Sequence, residues 1–343
     1  MKKNNFFQRI KKPFLIAEIS ANHNGSLKIA KNLILCAKKN GADAVKLQTY
    51  KPESMTIQSS RTEFKIKEGL WKNYTLWDLF KKAQTPYVWH KELFKYSKKI
   101  GILCFSSPFD AEAVDLLESL NCPIYKLASF EMTDFSLIKK IAKTKKPIII
   151  STGLSTLEEI KKTVIFARKN GAKDIALLYC VSTYPAKSAD FNLKNILLLK
   201  NEFNCEIGFS DHSNDINIAK TALAVGATIF EKHIALENQK KGFDIEFSLK
   251  GREIKKFKDE LLKTKTIIGQ DKFLRKKNEL KNLIYRRSIY AINNIQKGEK
   301  FTSKNIKSIR PATGLNPTLF FKIINKKSKK NIKIGTPILK KHF

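Results

Sequence analysis

The chain of 343 residues is 42% hydrophobic and 28% charged, enough for one large buried core beside a small one. It has no apolar run long enough to span a membrane and no signal-peptide core before the stretch FLIA ends at Glu18. The net charge of +35 comes from 66 basic residues of which only 8 are arginine, spread along the whole chain, a pattern that argues against a nucleic-acid partner and suits small anionic substrates.

Short β-branched or apolar runs recur at 14–19, 43–48, 102–106, 124–129, 147–151, 175–180, 206–210 and 228–233. Between them, SLKIAKNLILCAKKNGA, AEAVDLLESL, TLEEIKKTVIFARKNGA and NDINIAKTALAVGA place apolar residues at i, i+3, i+4 and i+7. Eight strands alternating with helices predict a (β/α)8 barrel over residues 1–269, ahead of a doubly wound sheet. Residues 50–100 are longer and aromatic-rich, and are expected to form an insertion over one end of that barrel. QDKFLRKKNELKNLI, residues 270–284, is expected as a polar linker helix. Residues 285–343 have short strands, KG turns, 15 basic residues and the single acid Glu299, and form a compact basic module too small to be very stable alone. The five cysteines are odd in number and lack a paired spacing, as expected for reduced thiols in the cytoplasm.

The chemistry is concentrated where the strands end. Glu18, Lys46 with Gln48, Ser106 with Ser107, Lys126 with Ser129, Ser151 with Thr152, Ser182 with Tyr184, Ser210 with His212, and Glu231 with His233 close the eight runs. A charged residue in an apolar strand is costly unless paired or solvated, and the C-terminal rim of a barrel is where active sites lie. His212 and His233 fall on adjacent strands. They can share one labile divalent metal of the Mn or Mg type, or one of them can be a hydrogen-bonded core histidine. Lys46, Lys126 and the serines at 129, 151 and 210 suit a phosphate with a neighbouring carboxylate. Without GxxxxGK[ST] a nucleotide loop is not expected. Glu18 and Glu131 are the carboxylates available as general base or sugar ligand, and Glu131 is equally placed to be a helix N-cap or a surface acid. Trp71, Trp77 and Trp89 are expected to pack rather than to stack on a ligand.

AEISANHNGSLKIA, GADAVKLQTYKPESM, SSPFDAEAVDLL, YKLASFE, PIIISTGLSTLEEI, STYPA, IGFSDHS and GATIFEKHIAL strongly resemble the sialic acid synthase family. RRSIYAINNIQKGE and SIRPATGLNP resemble the antifreeze-like (SAF) domain these enzymes carry. The resemblance covers nearly the whole chain. Within the family, IKEGLWKNYTLWDLFKKAQTPYVWH, ILCFSSPFD and YKLASFE look most like the branch that makes pseudaminic acid. N,N'-diacetyllegionaminate and N-acetylneuraminate synthases are the alternatives.

The resemblance implies condensation of phosphoenolpyruvate with an open-chain amino-sugar aldehyde, with C3 attack on the aldehyde, water addition at C2 and C–O cleavage. For pseudaminic acid the sugar is 2,4-diacetamido-2,4,6-trideoxy-L-altrose. It implies that His212 and His233 hold a divalent metal, Mn2+ before Mg2+ or Co2+. Lys46, Gln48, Lys126, Ser129, Ser151 and Ser210 would grip phosphoenolpyruvate. Glu131 would activate water or move a proton, Glu18 would sit near the sugar, and Tyr184 and Asp244 would contact its hydroxyls. Asp244 lies in GFDIEFSL, which departs from the family's more usual His-bearing loop. Arg310 would reach an N-acyl group in a partner's site, implying a domain-swapped homodimer. Phe130, where neuraminate synthases usually have glycine, is expected to select for the 6-deoxy sugar.

Overall fold

A computed structural model describes residues 5–343, so the first four residues of the basic N-terminal stretch lie outside the described residues. The chain divides into two compact units, Met1–Gly269 and Gln270–Phe343.

The first unit is a closed barrel of parallel strands: β1 (Phe14–Glu18), β2 (Ala44–Thr49), β3 (Leu103–Pro108), β4 (Tyr125–Leu127), β5 (Ile148–Ser151), β6 (Ile175–Cys180), β7 (Glu206–Asp211) and β8 (Ile229–Ala235). They pair in sequence order and β1 pairs with β8, so the sheet has no open edge at that seam. The expected runs and these strands agree to within a few residues. A two-residue ninth strand, β9 (Leu249–Lys250), adds to β8 through Ile234 and Ala235.

Local chemistry starts and stops the helices. In α1 (Leu27–Lys39) the Ser26 side chain accepts from Ile29 N. After α2 (Pro52–Met55) and α3 (Leu76–Ala83) comes α4 (Tyr87–Ile100), and after it α5 (Ala111–Ser119), capped by Asp110. Asp134 caps α6 (Phe135–Lys143), and Thr156 with Glu159 makes a reciprocal capping box on α7 (Leu157–Lys169). Then follow α8 (Lys194–Glu202), α9 (Ile216–Ala224), capped by Asp215, and α10 (Glu253–Ile268). The stop after α7 needs glycine: Gly171 has φ 116°, and a Cβ there would lie 3.0 Å from Ala142 O.

Two expectations change. α4 packs on α1 and β3 and is the barrel helix between β2 and β3, so the inserted segment ends before Tyr87 rather than at residue 100. The linker helix expected over 270–284 forms only as the short turns Lys277–Leu280 and Lys281–Tyr285.

In the second unit β10 (Ser288–Ala291) runs antiparallel to β11 (Ile306–Ile309). Ile289, Ile295, Phe301, Ile306, Ile332 and Ile338 make its small core.

Candidate active site

Strand register assembles the first cluster. Glu18 of β1 lies opposite Lys46 of β2 and opposite His233 of β8, and Ser210 of β7 lies opposite Glu231 of β8. Side chains of such partners share a face of the sheet, and here they meet. Lys46 Nζ is 3.0 Å from Glu18 Oε2 and 3.0 Å from Glu231 Oε1, and Ser210 Oγ donates to Glu231 Oε1 at 3.1 Å. Ser20 N donates to the other oxygen of Glu18 at 3.0 Å, and Gln48 Nε2 donates to Ser20 Oγ at 3.1 Å. Glu18, Lys46, Ser210 and Glu231 are all buried.

The two glutamates respond differently to the cation between them. Burial pushes the Glu18 carboxyl up despite Lys46. Burial acts on Glu231 in the same direction, but Lys46 and Lys126 outweigh it and hold that carboxyl well below its usual range. Burial also works against charge on Lys46, and the two carboxylates reverse the effect and raise it.

The second cluster gathers around β4, β5 and β6. Lys126 Nζ donates to Ser151 Oγ at 2.5 Å and to Leu127 O at 3.1 Å. Burial brings this ammonium down to about 8, against the pull of Glu231. After Leu127 the chain leaves the sheet in a tight turn, Ser129–Glu131. Ser129 Oγ lies 3.1 Å from Cys180 Sγ and accepts from Gly153 N at 3.1 Å. Glu131 is neither an N-cap, which is Asp134, nor a surface acid. Its Oε2 is buried without a hydrogen-bond partner, and burial lifts the carboxyl to about 7 against the opposing charge of Lys126. A carboxyl poised there can take or give a proton near neutrality.

The third cluster is the histidine pair. His212 and His233 have ring centroids 5.6 Å apart. His212 Nδ1 lies 2.9 Å from Val181 O. A carbonyl oxygen only accepts, so Nδ1 carries the proton and Nε2 keeps a free lone pair. Burial, with His233 adding to it, brings His212 down to about 3, so the ring is neutral. His233 Nδ1 is buried without a hydrogen-bond partner, with Asp244 Oδ2 3.5 Å away. Burial opposes ionisation of Asp244, yet His233, Ser20 and Ala21 N hold its carboxyl below the usual range. Among the described residues no three His, Cys, Asp or Glu groups converge as a ready-made cage. An imidazole pair with an orphaned buried nitrogen and an adjacent carboxylate nevertheless fits a labile divalent cation that takes its remaining ligands from water and substrate. Tyr184 packs beside the pair, its ring 4.5 Å from His212 and tilted by 46°.

Of the residues singled out in the sequence, the barrel mouth brings together Glu18, Lys46, Gln48, Lys126, Ser129, Glu131, Ser151, Tyr184, Ser210, His212, His233 and Asp244. Arg310 lies in the second unit, exposed just past β11. Phe130 is 67% exposed. His23 and His90 are core histidines: burial brings each to about 4, and His90 Nε2 bonds Thr49 Oγ1 at 2.8 Å.

Glu231 was visible as a strand-end residue but carried no role, because its two cation neighbours become apparent only once the barrel closes. Asn22 was missed. It is fully buried, donates to Ile234 O and to Ser248 Oγ, each at 2.9 Å, and accepts from Asp244 N at 3.2 Å. It thereby fixes the loop that carries Asp244, and its only signal was a polar residue in ISANHNGS. A separate cleft of about 380 Å³ lies behind β8, where Lys232 pairs with Asp211 at 3.5 Å; none of the expected site residues lines it.

Fold and site define a class, that of (β/α)8 barrels whose mouth sets two buried lysines and a group of serines beside a pair of imidazoles. The chain belongs to the NeuB family, whose profile matches residues 33–273, and an SAF domain matches residues 286–343. It is 43% identical over 337 residues to a pseudaminic acid synthase of Campylobacter jejuni, covering 98% of each chain. It is 37% identical to an N,N'-diacetyllegionaminic acid synthase of the same species, over 94% of this chain and 98% of that one. Among solved structures it resembles an N-acetylneuraminic acid synthetase of Leptospira borgpetersenii in complex with citrate. The TM-score is 0.72 and the identity 31%, over 80% of this chain and 91% of that one.

Proposed function

We propose that the protein condenses phosphoenolpyruvate with the open-chain aldehyde of 2,4-diacetamido-2,4,6-trideoxy-L-altrose and water, giving pseudaminic acid and phosphate. The observation that carries the reaction class is the placing of two buried lysines and a buried, unpartnered carboxyl at the same barrel mouth as two imidazoles. Likeness along the whole chain to a pseudaminic acid synthase supports this sugar over the legionaminate and neuraminate precursors.

Lys46, Lys126, Ser129, Ser151 and Ser210 bind the phosphate and carboxylate of phosphoenolpyruvate with point charges and short donors. C3 attacks the aldehyde, whose oxygen takes up the electron pair and a proton, water adds at the electron-poor C2, and the same cations stabilise the negative charge that grows on the phosphate as it leaves. Glu131 takes the proton of that water, and the C–O bond to phosphate breaks. Tyr184 and Asp244 orient the sugar, with Glu18 at the junction of the two substrates. His212 and His233 would hold a divalent cation, Mn2+ being the first candidate, which when bound supplies Lewis acidity at the aldehyde. Five free cysteines fit a reducing cytoplasm. In a domain-swapped homodimer Arg310 of the second unit would serve the partner's site.

The test is phosphate release with mass detection of product, using Mn2+, phosphoenolpyruvate and, in parallel, the diacetamido L-altrose, diacetamido D-mannose and N-acetylmannosamine substrates. Turnover of the L-altrose compound is expected, and its loss on chelation or in His233→Ala. Turnover of a different sugar alone would overturn the sugar assignment, and no phosphate with any of them would overturn the reaction.

A further inference from the structure

The sequence treats the three tryptophans alike, but they are not alike in the fold. Trp89 packs edge-on against the buried core ring of His23. Trp71 stands near the end of a hairpin inserted after β2, closed by a bridge between Lys65 and Thr75 and by Ile66 N donating to Tyr74 O at 2.9 Å. Its indole Nε1 donates to Phe243 O at 3.0 Å, and the Tyr74 ring meets the Phe243 ring edge-on at 5.9 Å. The hairpin is thus fastened at two points to the loop that carries Asp244. The Trp71 ring lies 5.6 Å from Tyr184, tilted by 51°. Tyr184 in turn faces His212, and Phe247 lies 5.3 Å from Tyr184 and 4.8 Å from His233. A continuous aromatic wall therefore runs from the imidazole pair outward to the inserted hairpin.

We propose that Trp71 is a specificity-determining residue that forms the outer wall of the sugar subsite and favours a 6-deoxy sugar. This rests on the reading of the chain as a synthase that takes an open-chain amino sugar. With the aldehyde at the histidine pair and the lysine–serine clusters occupied by phosphoenolpyruvate, the carbons remote from the aldehyde lie along this wall. The indole N–H is already used by Phe243 O, so Trp71 offers that end of the sugar an apolar ring and no free donor. A methyl group packs there at no polar cost, whereas a hydroxymethyl group would lose hydrogen bonds to water without replacing them. Phe130, the selector expected from the sequence, is two-thirds exposed and stands on the Ser129–Glu131 turn instead.

The experiment compares wild type, Trp71→Ala and Trp71→Phe by KM for each substrate. Trp71→Ala is expected to raise KM for the 6-deoxy sugar about ten-fold and to cut the preference for it over N-acetylmannosamine by a similar factor. KM for phosphoenolpyruvate should stay within about two-fold, and Trp71→Phe should recover most of the loss. An unchanged sugar KM, or a rise of both KM values in step, overturns the proposal. A second readout needs no turnover: with Trp77 and Trp89 both replaced by Phe, the remaining indole should change its fluorescence as sugar is titrated in. If wild type turns over the diacetamido D-mannose sugar instead, the substrate assignment above fails while Trp71 is judged on that sugar by the same KM comparison; preference for N-acetylmannosamine, which keeps its 6-hydroxyl, overturns both. Silence of the indole towards a sugar that is turned over, or towards all three sugars, counts against Trp71.

Discussion

The proposed reaction needs opposite protonation states in two adjacent groups, Glu131 and Lys126. Glu131 must lose its proton to accept one from water, and burial places that step at about 7. Lys126 must keep its proton to bind an anion, and burial brings its loss to about 8. The rate should therefore rise through about pH 7 and fall through about pH 8, a narrow bell measurable as kcat/KM against pH. Glu131→Gln should remove the rising limb and lower kcat by about 10²–10⁴-fold; an unchanged limb would reassign the base. The stability sign follows from the same group. Its folded value lies above the ordinary 4.5, so the native state binds the extra proton between these values and loses stability as pH rises through them. Glu131→Gln should thus gain in Tm relative to wild type above pH 7, with no relative gain at pH 4. Lys46 gives a packing counterpart. Lys46→Met leaves Glu18 and Glu231 buried together without their cation and should cost about 3–5 kcal/mol by denaturant unfolding. The sequence made Lys126 and the histidines legible as polar residues at strand ends, and Glu131 only as a carboxylate that could equally have been an N-cap or a surface acid. It could not show which were paired, because Glu231 and Lys46 lie 185 residues apart and meet only across the closing seam.

Among the elements, the strand ends set the site and the βα loops tune it. The run STGLST turns off β5 with Gly153 where a Cβ would come within 2.3 Å of Ser182 Oγ and 2.8 Å of both Cys180 Sγ and Ser129 Oγ. Gly153→Ala must therefore displace Ser182, Cys180 and Ser129 together, and should raise KM for phosphoenolpyruvate about ten-fold while the sugar KM stays within about two-fold; a shift confined to the sugar would contradict the placing of Ser129. The eight strands were readable because each is a short β-branched or apolar run set between amphipathic helical segments. α4 was not, since TPYVWHKELFKYSKKI is as aromatic as the inserted segment before it, and periodicity alone does not tell an inserted helix from a barrel helix. The aromatic wall was hidden for a related reason: Trp71, Tyr184 and Phe247 come from three separate loops, and only the fold of the barrel mouth brings their rings into contact.

For the molecule as a whole, a net charge of +35 raises the local concentration of an anion, so KM for phosphoenolpyruvate should climb with ionic strength while KM for the uncharged sugar does not. If Arg310 serves a partner's site, Arg310→Ala and Glu131→Gln chains, each with greatly reduced activity, should complement when mixed, because one site of each mixed dimer is intact. About a quarter of wild-type activity is then expected after free exchange; no recovery in demonstrably mixed dimers would place Arg310 in its own chain's site or in none. The central claim is that this barrel mouth joins phosphoenolpyruvate to a sugar by breaking the C–O bond rather than the P–O bond. The most direct test uses phosphoenolpyruvate labelled with 18O in the bridging position, with both products weighed by mass spectrometry after turnover with the L-altrose sugar. Label found in the released phosphate, with an unlabelled nine-carbon acid, is the predicted result. Label retained in the acid would mean P–O cleavage and contradict the account.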